Sequence, residues 1–207
     1  MSNMAGFQAH KGWHSRGYLP HFDEPGLVQA ITFRLHDSMP AERRAEWEAL
    51  MQARDGAVRR ARAQAYLDAG HGSCYLADAR IAGIVEDTLL LFDGERYRLL
   101  AWVIMPNHVH VLIETRSGWP LDKVLHTWKS YTAKQANALL GRSGAFWYRE
   151  YHDRYIRNER HLEQAVRYVH GNPVKAGLAE RAEDWPYGSA RFVDALDATF
   201  SARGGGV

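Results

Sequence analysis

Few folds can accommodate the stretch from Trp102 to Ile113. Trp102-Val103-Ile104-Met105 and Val109-His110-Val111-Leu112-Ile113 are β-rich, and Pro106-Asn107 between them is a turn signal, so the stretch reads as two strands meeting at a tight turn. Side chains alternate along a strand, so His108 and His110 project together from one face while Val109 and Val111 enter the opposite layer. Two imidazoles one pleat apart can share a metal ion. Burial and polarity alone can also place two such residues on a half-exposed strand face. The spacing leaves both readings open.

The remaining elements follow from periodicity. Ile31, Phe33 and Leu35 share one face of a strand over Gln29 to Leu35. Ser38 and Pro40 form an N-cap and first-turn pair for a helical region reaching about Leu67, interrupted at Gly56. Ile81, Ile84, Val85, Thr88 and Phe92 keep helical spacing up to Asp93-Gly94. Arg96 to Met105 is the next strand, and the His108 strand runs to about Glu114. Pro120 opens a further helix with Leu121, Val124, Leu125, Trp128, Thr132 and Leu139 buried and Lys123, Lys129 and Lys134 in solvent. A short strand is expected around Tyr155-Ile156. The order β, helical region, β, β, α, β suits an α+β fold: a ferredoxin-like, split-βαβ antiparallel sheet with helices on one face. A last helix follows from Glu159 to about Gly171. Residues 1–28 are expected to form an irregular arm, 29–192 the domain, and 193–207 a flexible tail.

Composition narrows the functional classes. No run of about 18 apolar residues occurs, which argues against a membrane span, and the N-terminus lacks the apolar core of a signal peptide. One cysteine, Cys74, rules out an internal disulfide framework and a cysteine-based zinc site. A bacterial cytoplasmic protein is the expectation. The net charge of +2 conceals an asymmetry. Asp37 to Glu95 holds 7 Arg/Lys against 11 Asp/Glu, a net of −4, whereas Arg116 to Lys175 holds 11 against 5, a net of +6. A basic half interleaved with Trp, Tyr and Phe suits phosphate neutralisation and base stacking, and a solvated charged face has the same composition.

The last helix carries the second cluster. Leu162, Ala165, Val166 and Val169 form its apolar stripe, and Tyr168 lies a quarter-turn off it, in line with Asn172 one turn on, with His161 and Gln164 on the same flank. Tyr168 also reads as a boundary tyrosine with a wet hydroxyl, and Asn172 as the N-cap of a short helix Pro173 to Ala176 ended by Gly177. Taken with the two histidines, however, these residues define a chemistry. Two imidazoles and an amide oxygen leave open positions on an ion such as Mg²⁺ or Mn²⁺. A deprotonated phenol is a competent nucleophile toward a phosphodiester. In-line attack yields a phosphotyrosine and a free sugar hydroxyl, and it conserves the bond energy for rejoining.

Pro106-Asn107-His108-Val109-His110-Val111-Leu112-Ile113 resembles the His-hydrophobic-His motif of the HUH endonuclease superfamily. Tyr168-Val169-His170-Gly171-Asn172-Pro173-Val174-Lys175-Ala176-Gly177-Leu178 resembles the catalytic helix of its single-tyrosine, IS200-like transposases, and Trp128 to Lys134, Trp147 to Arg157 and Trp185 to Ala190 match the same group. The branch that the chain resembles is the REP-associated tyrosine transposases, over residues 13 to 192. That resemblance implies a metal-dependent single-strand DNA endonuclease and strand transferase acting on hairpin-forming repeats through a 5′-phosphotyrosine. It implies that His108, His110 and Asn172 hold a divalent metal, Mg²⁺ or Mn²⁺, and that Tyr168 is the nucleophile, with Tyr131 as the competing tyrosine. By analogy Trp13, Arg16, Tyr18, Lys129, Lys134, Arg149, Arg154 and Arg157 contact DNA. A cytoplasmic, nucleoid-associated monomer is expected. Two other classes are compatible with the residues: a catalytically silent hairpin DNA or RNA binder of the same fold, which needs none of the four site residues, and a zinc hydrolase, for which a neutral amide is a poor third ligand.

Overall fold

The computed structural model describes residues 9–15, 20–43, 45, 46, 49 and 56–193. Its centre is a four-stranded, wholly antiparallel sheet of β3 (Val28–Arg34), β4 (Tyr97–Ile104), β5 (His108–Thr115) and β6 (His152–Tyr155), in the order β4-β5-β3-β6. With α1 (Gly56–Asp68) and α2 (Ala79–Leu90) between β3 and β4, and α3 (Leu121–Leu139) between β5 and β6, this is the ferredoxin-like plait expected from the element order. The helix α4 (Glu159–Lys175) follows.

Alternation builds two layers. Ile31 and Phe33 of β3, Leu35 just after it, and Val109, Val111 and Ile113 of β5 share one buried layer with Ile81, Val85 and Leu89 of α2 and Val124, Leu125 and Trp128 of α3. The other face presents Leu112 with Ala101, Val103 and Met105, and Val169 of α4 packs there. A bulge in β4 between Leu99 and Ala101 turns both Leu100 and Ala101 to that second face. The fold therefore places α2 and α3 on one face, while α4 and the C-terminal end of α1 serve the other.

Polar tips inside the first layer are satisfied in series. Trp128 Nε1 donates to the Tyr97 hydroxyl at 2.9 Å, which donates to Leu89 O at 2.7 Å, and Trp147 Nε1 donates to Thr132 Oγ1 at 2.8 Å. Trp128 is 1% exposed and meets Tyr97 edge-on. Trp128→Ala is expected to cost about 3–5 kcal/mol in denaturant unfolding, the range for deleting a buried aromatic; a cost under about 1 kcal/mol would mean that this layer repacks freely.

Several expectations change. Among the described residues of the N-terminal arm, β1 (Gly12–Ser15) and β2 (Pro20–Asp23) pair as an antiparallel hairpin, where an irregular course was expected. Half-buried hydrogen bonds fasten it, His21 Nδ1 to Asp153 Oδ1 and Gln29 Nε2 to Phe22 O at 2.5 Å. These partners are 132 and 7 residues apart, the first beyond the reach of any local pattern. Ser38 closes a 3-10 turn, its Oγ donating to Leu35 O at 2.8 Å, and does not cap a long helix. Residues 44, 47, 48 and 50–55, over which that helix was expected, lie outside the described residues, as do Arg16, Tyr18 and the tail from 194. On α3 the buried position is Ala136, and Leu139 is exposed. The edge strand β4 is covered by the closing segment, with Trp102 N donating to Ser189 Oγ at 3.0 Å and Ile104 N to Tyr187 O at 2.8 Å. Among the described residues no helix is long and apolar enough to cross a membrane.

Candidate metal and nucleophile site

Sheet register assembles the site. His108 and His110 stand on the second face of β5, where Arg34 and Thr32 of β3 are their cross-strand partners. Thr32 Oγ1 therefore reaches His110 Nδ1 at 2.7 Å. On the other imidazole, Asn107 Nδ2 donates to Leu67 O at 2.9 Å, which leaves Asn107 Oδ1 to accept from His108 Nδ1 at 2.6 Å. His108 Nε2 is then a bare acceptor. The Nε2 atoms of His108 and His110 lie 3.0 Å apart. Complete burial keeps both rings neutral: it pushes His108 well below its ordinary pKa, with His110 adding, and His110 down to about 3, with Lys175 adding.

Helix α4 supplies the other half. Asn158 caps it by accepting from His161 N at 2.9 Å. The helix does not break at Pro173 but runs on to Lys175, so Asn172 sits inside it and is not the N-cap of a new helix. Gly177, at φ +70°, closes it with Gly177 N on Val174 O and Leu178 N on Pro173 O, the pattern that a left-handed residue allows. One turn apart, Asn172 Nδ2 donates to Tyr168 O at 2.7 Å, which leaves Asn172 Oδ1 as the acceptor that faces Gln64 of α1. The Tyr168 ring lies edge-on to His110 with 5.5 Å between centroids. Burial of its hydroxyl, with Asp68 adding, raises the Tyr168 pKa above the ordinary phenol value.

The remaining contributor went unread in the sequence. Gln64 of α1 places Nε2 at 3.1 Å from His108 Nε2, 3.3 Å from Asn172 Oδ1 and 2.6 Å from Asp68 Oδ1. Asp68 Oδ2 is in turn 3.7 Å from Lys175 Nζ of α4. Burial raises the Asp68 pKa, and Gln64 and Lys175 oppose it. Gln64 and Asp68 are one helical turn apart, a spacing visible in the sequence, but nothing local says which strand that edge faces. Thr32 is likewise invisible until register is set.

The four expected residues thus gather at one place. The donor set suits a divalent ion: two nitrogens bound at about 2.1 Å and at right angles are about 3.0 Å apart. Among the described residues no three His, Cys, Asp or Glu side chains converge on one point, so the amide of Asn172 is needed to complete a set of three. Tyr131 lies on α3, against the opposite face of the sheet, and is exposed.

A groove of about 630 Å³ leads to the site between α1 and α4, floored by Thr32, Arg34, His152 and Arg154 and bordered by Tyr168 and Lys175. The expected nucleic-acid contacts divide. Trp13 is exposed and rests on Phe22 (4.9 Å) and edge-on to Tyr155 (6.4 Å). Arg154 lines the groove, and Lys134, Arg149 and Arg157 are exposed. Lys129 is not solvent-facing as expected: its Nζ donates to Tyr148 O at 2.6 Å and Arg149 O at 2.8 Å, tying α3 to the loop before β6. Arg34, not anticipated, stacks on Tyr148 at 3.7 Å, and burial lowers its pKa to about 10.

A buried His-x-His pair beside a helical tyrosine and asparagine is the arrangement that the motifs led us to expect, and residues 88–172, which hold all four, match the family described as Transposase IS200 like. Within that class the chain resembles the REP-associated tyrosine transposases. The Escherichia coli (strain K12) REP-associated tyrosine transposase is 29% identical over 91 residues, 44% of this chain and 53% of that protein. A Haemophilus influenzae protein assigned to the same group is 26% identical over 104 residues, 45% of this chain and 58% of its own. The chain thus spans a little over half the length of these curated relatives. A solved structure of a REP-associated tyrosine transposase bound to a REP hairpin shares the fold, with a TM-score of 0.55 at 19% identity over 84% of this chain and 83% of that one.

Proposed function

We propose that this protein is a metal-dependent single-strand DNA endonuclease and strand transferase acting on hairpin-forming repeat DNA. The observation that carries the reading is that one amide nitrogen, Gln64 Nε2, meets both His108 Nε2 and Asn172 Oδ1, while His110 Nε2 lies 3.0 Å from His108 Nε2 and the Tyr168 ring stands beside His110. His108, His110 and Asn172 would hold the ion. When bound, Mg²⁺ or Mn²⁺ supplies positive charge that polarises the scissile phosphate and offsets charge on the departing oxygen.

The chain's own groups do the rest. Tyr168 oxygen forms a bond to phosphorus, the P–O3′ bond breaks, the 3′ oxygen leaves as a hydroxyl after taking up a proton, and the phenol proton is lost. The product is a 5′-phosphotyrosine, and attack by a 3′-hydroxyl reverses the step. Burial raises the Tyr168 pKa, so the phenol carries its proton before attack and must lose it in the step. Thr32 and Asn107 hold the imidazoles by Nδ1, so that the Nε2 atoms are the ones that would bind the ion. Arg34, Arg154 and Lys175 along the groove provide cationic partners for the strand's phosphates. In this reading the protein works as a monomer in the bacterial cytoplasm at the nucleoid.

The test is a covalent-adduct assay. The chain is incubated with Mn²⁺ or Mg²⁺ and labelled single-stranded hairpins from repeats flanking its own gene, and denaturing gels are read for a protein–DNA band. Tight hairpin binding without an adduct favours the alternative of a silent hairpin binder. Trp13, on its aromatic ledge, is the stacking candidate. Trp13→Ala is expected to weaken single-strand binding by about 1–3 kcal/mol with an unchanged salt slope in fluorescence anisotropy, and an unaltered affinity would remove the ledge from the DNA path.

A further inference from the structure

Building on the metal-dependent reading, we propose that Asp68, carried by α1 to within 3.7 Å of His108, is the anionic partner of the divalent ion, a charge that the His108, His110 and Asn172 set lacks. All three of those donors are neutral. Hard divalent ions such as Mg²⁺ and Mn²⁺ are selected by anionic oxygen, and imidazole and amide alone favour later metals. A double positive charge in a buried site also needs compensation. Among the described residues Asp68 is the only carboxylate with an oxygen within 4 Å of either imidazole, its Oδ1 lying 3.7 Å from His108 Nε2.

The hydrogen bonding points the same way. Gln64 Nε2 lies within 2.6–3.3 Å of Asp68 Oδ1, His108 Nε2 and Asn172 Oδ1. Two amide hydrogens meet three acceptors there, drawn from α1, β5 and α4. Three acceptors from separate elements aimed at one point are what a cation satisfies. Gln64 holds the carboxylate toward that point, and Lys175, 3.7 Å from Asp68 Oδ2, draws on the same charge from the other side. The ion and Lys175 therefore compete for Asp68, which makes α1 part of the metal site.

The experiment is an Mn²⁺ titration of the full chain without DNA, free Mn²⁺ being read by electron paramagnetic resonance and folding by circular dichroism. Asp68→Asn is expected to weaken Mn²⁺ binding about tenfold or more. Lys175→Met is expected to tighten it, and His110→Ala to abolish it. Unchanged affinity in folded Asp68→Asn, with binding lost in His110→Ala, overturns the role of Asp68 and leaves the metal site standing. No Mn²⁺ binding by the wild-type chain, or binding indifferent to His110→Ala, overturns the metal reading itself. Should Asp68→Asn fail to fold, Lys175→Met decides: no tightening overturns the proposal.

Discussion

Tyr168→Phe is expected to eliminate the protein–DNA adduct and strand cleavage together, by roughly three orders of magnitude or more, while leaving hairpin affinity within about twofold. The substitution removes one oxygen and keeps the ring that meets His110 edge-on, so packing beside the imidazoles is preserved. The half of α4 that anchors the helix, Val169 in the second layer and Asn172 against the site, is untouched. Tyr131→Phe is the control. Tyr131 stands on α3 across the sheet from the histidines, so its loss should leave the adduct intact. An adduct that persists in Tyr168→Phe and vanishes in Tyr131→Phe would reverse the assignment and require strand access to the opposite face.

The second large effect is on the metal side. His110→Ala should reduce cleavage by roughly three orders of magnitude while largely sparing hairpin binding, because the groove cations proposed to meet phosphate lie on β3, β6 and α4. The deletion removes one of two Nε2 donors 3.0 Å apart and leaves Thr32 Oγ1 without its partner on the imidazole. An unsatisfied hydroxyl and a small cavity together cost about 1–3 kcal/mol, so folding is to be checked by thermal melt before activity is compared. Parallel loss of binding and cleavage in a folded variant would mean that His110 supports the DNA surface and not an ion.

Much of this protein is legible in one dimension because its constraints are local. The 2-residue alternation put His108 and His110 on one face and Val109 and Val111 in the core, and both placements hold. The 3.6-residue period aligned Tyr168 with Asn172, and the order of elements implied the plait. The motifs carried the resemblance to single-tyrosine transposases. What escaped depends on pairings between distant segments. The N-terminal hairpin is fastened by His21 on Asp153, Lys129 is spent on two carbonyls before β6, and α4 continues through Pro173 because its apolar stripe packs on the sheet.

The sequence by itself therefore determined the donors: which side chains carry nitrogen, oxygen and a phenol, and which of them share a strand face or a helix edge. Only the tertiary structure decided how they meet. Register set Thr32 opposite His110, the Leu67 carbonyl at the end of α1 oriented Asn107 against His108, and α1 returned Gln64 and Asp68 to the same point. Periodicity fixes the direction of a side chain relative to its own backbone, whereas the neighbour it meets depends on the packing of elements tens of residues away, where burial of apolar surface, and not local propensity, sets the geometry.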